Sequence, residues 1–267
     1  MSSLNWQPVS PKSPLNVAQS TTGNPWFVVT VGLICIMVGF GVGKLRTGNF
    51  PIAQGSPPPV AQVPTPPPAA PEPPAEPTTA ENLPTIDPKT DHIRGDISKA
   101  TVAVVEYSDF ECPFCQRHHP TMTQIMDTYK DDVVWVYRHY PLSFHANAAK
   151  EAEATECANE LGGNDAFWNY TDAIFERTTA GGTGFPLDQL PALAKELGLN
   201  EAAFKTCLDS GKYAQHVQDD MNGGSQAGVN GTPGNIVVHL KTDENRIISG
   251  AQSFSSFKTV IDQLLGT

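Results

Sequence analysis

Cys112 and Cys115 are separated only by Pro113 and Phe114 in the tract CPFCQRHH, and that spacing admits two chemistries. The first is redox. Two thiols this close can join in a small-ring disulfide, so the pair can accept or donate one. If Cys112 opens a helix, the unpaired N–H groups and partial positive charge of the helix start stabilise its thiolate. Cys112 is then the expected exposed nucleophile and Cys115, one turn in, the resolving thiol. The second chemistry is metal binding, because His118 and His119 follow at once. Structural zinc sites usually join two separate ligand pairs, and the other cysteines lie far away and widely spaced. The redox reading is preferred, and neither a metal nor a cofactor is expected. His118 and His119 are expected either in solvent or beside the thiolate, adding positive field.

The surrounding pattern supplies the elements such a pair needs. Residues 102–107 (VAVVEY) are a β-branched run that reads as a buried strand. A turn follows, and Pro113 sits where a helix tolerates proline, in its first turn. A helix over 113–129 and a second strand over 133–139 (VVWVYRH) complete a βαβ unit, which implies a parallel pair. Residues 147–221 are helical throughout, with Gly181-Gly182 and Gly198 as breaks. After the turn Val229-Asn230-Gly231-Thr232-Pro233 come strands at 235–240 and 246–249 and a closing helix at 254–265. The expected fold is α/β, a small mixed sheet built βαβ…ββα with a helical insertion.

The tract Glu106-Tyr107-Ser108-Asp109-Phe110-Glu111-Cys112-Pro113-Phe114-Cys115 resembles the opening motif of the DsbA-like, membrane-anchored thioredoxin-fold thiol–disulfide oxidoreductases of bacteria. Tyr137-Arg138-His139-Tyr140-Pro141-Leu142, Phe167-Trp168-Asn169-Tyr170 and Gly228-Val229-Asn230-Gly231-Thr232-Pro233 are similar to the same family, and the likeness covers residues 91–267. It implies a thioredoxin-like fold. It also implies that Pro233 is the cis-proline beside the redox pair, lining a substrate groove with Thr232, Pro113 and Phe114. From the residues alone, an ordinary trans turn stays open, since cis is the minority form even before proline. Glu106 matches the buried acid that relatives carry beneath the resolving cysteine, where a carboxylate can accept a proton during exchange; otherwise it is an exposed strand residue. Gly234-Asn235 departs from the bulkier residues usual after that proline. Relatives also carry a cysteine pair in the insertion, which implies a Cys157–Cys207 disulfide. Two free buried thiols are the alternative, and a non-cytosolic compartment favours the bond.

The rest of the chain bounds where this chemistry takes place. Of 267 residues with 24 prolines and a formal net charge of −11, most of the prolines fall before residue 90. No basic stripe is present, which excludes nucleic-acid partners. Residues 1–24 read as a tail. Residues 25–43 are uncharged and about long enough to cross a bilayer, so they read as an uncleaved transmembrane anchor containing Cys35. Residues 44–90 are a Pro-rich linker too poor in apolar side chains to fold, and are expected to be extended. Lys44 and Arg46 after the span would place the following domain inside. The cysteine chemistry instead demands an oxidising compartment, so a single-pass membrane protein with an extracytoplasmic domain is expected.

Three functions fit. The leading one is a disulfide oxidase acting on cysteine-containing exported proteins, reset by a membrane redox partner and held at the lipid bilayer by its anchor. A reductase or isomerase and an anchored chaperone-like binding module are the alternatives. An intact pair of thiols argues against a mere binder. The lack of an obvious dimerisation domain favours a monomer and, modestly, the oxidase.

Overall fold

The computed structural model describes residues 78–181 and 184–267. The anchor candidate 25–43, the tail and most of the Pro-rich linker therefore lie outside the described residues. Among the described residues, no helix is long and apolar enough to cross a membrane.

The described chain forms a five-stranded mixed sheet with helices on its faces. Its elements are β1 (His92–Arg94), β2 (Val102–Ser108), α1 (Pro113–Tyr129) and β3 (Val133–His139). Then come α2 (Ala148–Arg177), α3 (Leu190–Glu196), α4 (Glu201–Ser210) and α5 (Ala214–Gln226). β4 (Gly234–His239), β5 (Asn245–Ser249) and α6 (Phe254–Leu265) complete it. The sheet order is β1-β3-β2-β4-β5. β2 and β3 are parallel, as a strand–helix–strand crossover requires, whereas β1, β4 and β5 join antiparallel. The βαβ…ββα expectation is met, and the helical insertion between β3 and β4 continues to Gln226, beyond residue 221. β1 was not foreseen. Three residues are too few to show an alternation.

β2 and β3 are buried along their whole length because both faces of the sheet are covered. Side chains alternate between faces along a strand, and this decides what lies under the redox helix. Val102 and Val104 face the larger core with Met122, Ile125 and Phe257, while Ala103, Val105 and Tyr107 face the smaller one with Tyr140 and Val229. Glu106 and Ser108 therefore share the face of Val104, beneath α1. By the same rule His139 shares the face of Trp135 and Tyr137, towards α2.

Residues 78–90, assigned from sequence to the end of the linker, lie along the sheet. Thr78 bridges to Ile247, and the Ala80 N–H donates to Asn245 Oδ1 at 2.7 Å. Arg138 donates to the carbonyls of Pro84 and Thr85, both at 3.2 Å, and grips the Asp91 carboxylate through two nitrogens at 2.7 and 3.0 Å.

The insertion is tied to itself covalently. Cys157 on α2 and Cys207 on α4 are bonded across a separation of 50 residues. Closing a loop of that size restricts the unfolded chain by about 4 kcal/mol in the loop-entropy account. α2 is interrupted at Gly163, whose φ of +74° breaks the helical ladder.

Candidate active site

Cys112 is the N-cap of α1, with extended backbone, and Pro113 occupies the first turn. The Asp109 carbonyl accepts the Cys112 N–H at 3.1 Å, and the Cys112 carbonyl accepts the Gln116 N–H at 3.1 Å, so the thiol stands at the helix mouth. Both thiols are free. Contrary to the sequence expectation, Cys112 is not an exposed nucleophile: it is 3% exposed, and Cys115 is fully buried. The reason is the Thr232-Pro233 turn, whose peptide bond is cis. It folds back over the helix start, and the Cys112 Sγ lies 3.4 Å from the Thr232 carbonyl as a donor.

The two thiols differ sharply in acidity. The Cys112 thiol is pulled down to about 6, chiefly by the Cys115 side chain donating to its sulfur. Burial opposes this, and Thr232 and the backbone N–H groups of Cys115 and Phe114 add to it. Cys115 is pushed well up by burial first, then by Cys112 and by the negative charge of Glu106. Glu106 is 1% exposed, and neither of its carboxylate oxygens has a hydrogen-bond partner among the described residues. The exposed-strand alternative for Glu106 is thus excluded. Tyr137, opposite it on β3, is fully buried and has its hydroxyl pushed up by burial and then by Glu106.

The histidines after the pair do something other than sit in solvent or supply field. His118 is buried and pairs through Nε2 with Asn235 Oδ1 at 3.1 Å. Burial lowers its pKa, so it is neutral near pH 7 and brings no positive field. His119 reaches Asp172 at 2.9 Å, and Arg117 lies 4.9 Å over the Phe114 ring. The Gly234-Asn235 departure has a reason here. A Cβ at Gly234 would lie 2.5 Å from Val229 Cγ1, and Asn235 is the fixed partner of His118.

Asp109 and Glu111, flanking acids in the sequence, are committed to the loop. Asp109 accepts the N–H groups of Glu111 and Leu142 at 2.8 and 2.7 Å and pairs with His145 at 2.8 Å. Glu111 accepts the N–H groups of Asn147 and Ala148 at 2.8 and 3.2 Å, at the start of α2. The Asp109 ties hold the loop that carries Phe144, which is 74% exposed; Phe114 is 51% exposed. Phe144 and the Asn235–His118 contact were missed from sequence. A phenylalanine in a polar loop was the only signal for the first, and nothing signalled the second.

The profile of the thioredoxin family matches residues 87–263. DsbA2 of Pseudomonas aeruginosa is 28% identical and superposes with a TM-score of 0.57, covering 69% of this chain and 97% of that one. Oxidised BdbD of Bacillus subtilis, at 22% identity, superposes with a TM-score of 0.60 over 71% of this chain and 99% of that one, a likeness of fold. The Na(+)/H(+) antiporter NhaA 1 of Salinispora arenicola is 35% identical over 149 residues, 55% of this chain and 22% of the antiporter. The chain thus spans about a fifth of the length of the curated relatives it matches. With a Cys-Pro-Phe-Cys pair at a helix start, a cis-proline turn against it and this likeness, the chain belongs to the thioredoxin family and resembles its DsbA-like thiol–disulfide oxidoreductases.

Proposed function

We propose that the protein is a membrane-tethered disulfide oxidase, with Cys112 as its nucleophile and leaving group. The observation that carries this reading is the unequal acidity of the two thiols, Cys112 pulled down to about 6 and Cys115 pushed up. A thiol of low pKa leaves readily, so a disulfide held through it passes to a client.

In the oxidised enzyme, a client thiolate attacks Cys112 Sγ and breaks the Cys112–Cys115 bond. Cys115 leaves with the electron pair and takes a proton, with buried Glu106, whose charge acts on Cys115, as the carrier. A second client thiolate then attacks the client sulfur of the mixed disulfide. Cys112 departs as a thiolate, the client holds a new disulfide, and two electrons remain on the enzyme. Reoxidation by a membrane redox partner runs these steps backwards, with Glu106 accepting the Cys115 proton. Thr232, Pro233, Pro113 and Phe114 form the client groove, with Phe144 extending its apolar surface. Clients are cysteine-containing exported proteins.

The Cys157–Cys207 bond supports an oxidising compartment, and residues 25–43 are the proposed anchor, with the Pro-rich stretch from 44 up to the sheet-bound residues 78–90 as spacer and the rest as a monomeric extracytoplasmic domain. Relatives named as ion antiporters support a membrane setting. The direction is tested by equilibrating the protein with glutathione redox buffers. An oxidase should have a potential above that of thioredoxin, about −270 mV. A more negative value, with efficient reduction of insulin, would assign a reductase instead.

A further inference from the structure

On the same face of the sheet as the redox pair, but outside its contacts, three imidazoles converge on one carboxylate oxygen. His92 Nε2 lies 2.7 Å and His139 Nε2 2.8 Å from Glu156 Oε1, and His216 Nε2 stands 3.5 Å from the same atom. The three rings are 6.4 Å apart, centroid to centroid, in every pairing, and stand at 62°, 88° and 82° to one another. His92, His139 and Glu156 are buried, with their ligand atoms within 4.8 Å of one another. The His216 side chain is 33% exposed, which leaves a way in.

We propose that His92, His139, His216 and Glu156 bind a divalent transition metal of the zinc class in a closed, four-ligand structural site. Nitrogen and carboxylate ligands suit zinc, whose bonds of about 2.0–2.1 Å in a tetrahedron place ligand atoms roughly 3.4 Å apart. His92, His139 and Glu156 are already close to that spacing, and His216, 3.5 Å from Glu156 Oε1, completes the set by turning its part-exposed side chain inwards. Imidazole is also the ligand type that such metals select. Charge agrees: the Glu156 carboxylate alone leaves a dication only partly neutralised, and Asp220 lies close by, accepting the backbone N–H of His139 at 2.9 Å. Ring position is fixed as well, His92 being stacked on Phe167 at 3.5 Å and 9°.

The four ligands come from four elements, β1, β3, α2 and α5. A bound ion would pin the insertion to the sheet edge at the turn of α2 that also carries Cys157, the neighbour of Glu156. No sequence motif announces it, because His92 and His216 are distant from the other two and from each other. The expectation of no metal weighed only His118 and His119 against the redox pair.

The test must keep the redox thiols out. The full chain is oxidised, so that Cys112 and Cys115 are bonded, then alkylated to block any remaining thiol, and titrated with Zn²⁺ or Co²⁺. One equivalent should bind and raise the melting temperature, and Co²⁺ should give visible tetrahedral bands without thiolate-to-metal charge transfer. H216A, at a part-exposed position, should weaken binding about tenfold or more. Absence of one-equivalent uptake by the oxidised, alkylated protein would overturn the proposal. So would an H216A protein that binds as tightly as the wild type.

Discussion

The molecule holds two cysteine pairs of nearly equal burial and opposite character. Cys157 and Cys207 are 1% and 6% exposed; Cys112 and Cys115 are 3% and 0% exposed. Exposure therefore does not make one pair reactive and the other inert. The difference lies in what surrounds the sulfurs. Cys157 sits mid-helix in α2 and Cys207 late in α4, where backbone N–H groups are already spent in the helical ladder. Cys112 caps α1, where N–H groups are free, and it receives the Cys115 hydrogen bond besides. Beneath it lies Glu106, a buried acid with no hydrogen-bond partner among the described residues. Reactivity here is supplied by donors at a helix start, and inertness by their absence.

The comparison breaks most visibly when the sulfurs are removed. C112S should abolish exchange with a reduced client, whereas C115S should accumulate a mixed disulfide through Cys112, seen as a client adduct on non-reducing gels. Adducts at Cys115 in C112S would reverse the assigned roles. C157A/C207A should leave the Cys112–Cys115 potential unchanged but lower stability by about 4 kcal/mol in the loop-entropy account, measured by denaturant unfolding. A potential that moves with the staple would show the pairs to be linked. E106Q should slow exchange by about 10²-fold, the usual contribution of a positioned proton carrier, with little change in the Cys112 thiolate fraction; stopped-flow kinetics at several pH values would separate the two. An unaltered rate would remove Glu106 from the mechanism.

The smallest expected effect concerns a second buried acid. Glu151 is pushed up to about 8 by burial, with the Phe185 N–H at 2.5 Å acting against that and Glu111 adding to it. Because its folded pKa lies above the unfolded value, ionising it disfavours the folded state, so this group subtracts stability as pH rises towards 8 and costs nothing at low pH. E151Q should therefore gain on the wild type between pH 5 and pH 8 in calorimetric melting. A difference independent of pH would contradict the assignment.

Much of this was legible in the residues. The runs VAVVEY and VVWVYRH gave two adjacent strands because a doubly covered strand must be apolar throughout, and Pro113 marked the helix start next to them. The Cys112–Cys115 spacing carried its own chemistry. Two things were not legible, for one reason: they depend on residues meeting across the fold. Cys112 is covered because Thr232 folds onto it from far along the chain. Likewise, His92, His139, Glu156 and His216 meet only once four elements have packed. β1 escaped because three residues carry no period, and the family likeness rather than the spacing suggested the cis-proline and the staple.

The most direct test of the account is the ultraviolet absorbance of thiolate in the reduced protein as pH is varied. One thiolate should appear with a midpoint near 6, where the Cys115 hydrogen bond holds it against the opposing effect of burial, and it should vanish in C112S but remain, at higher pH, in C115S. Iodoacetamide at mildly acidic pH should then label Cys112 well before Cys115. A first midpoint at the ordinary cysteine value of about 8.5, or one that survives C112S, would contradict the claim that the helix start and its donors make Cys112 the reacting thiol.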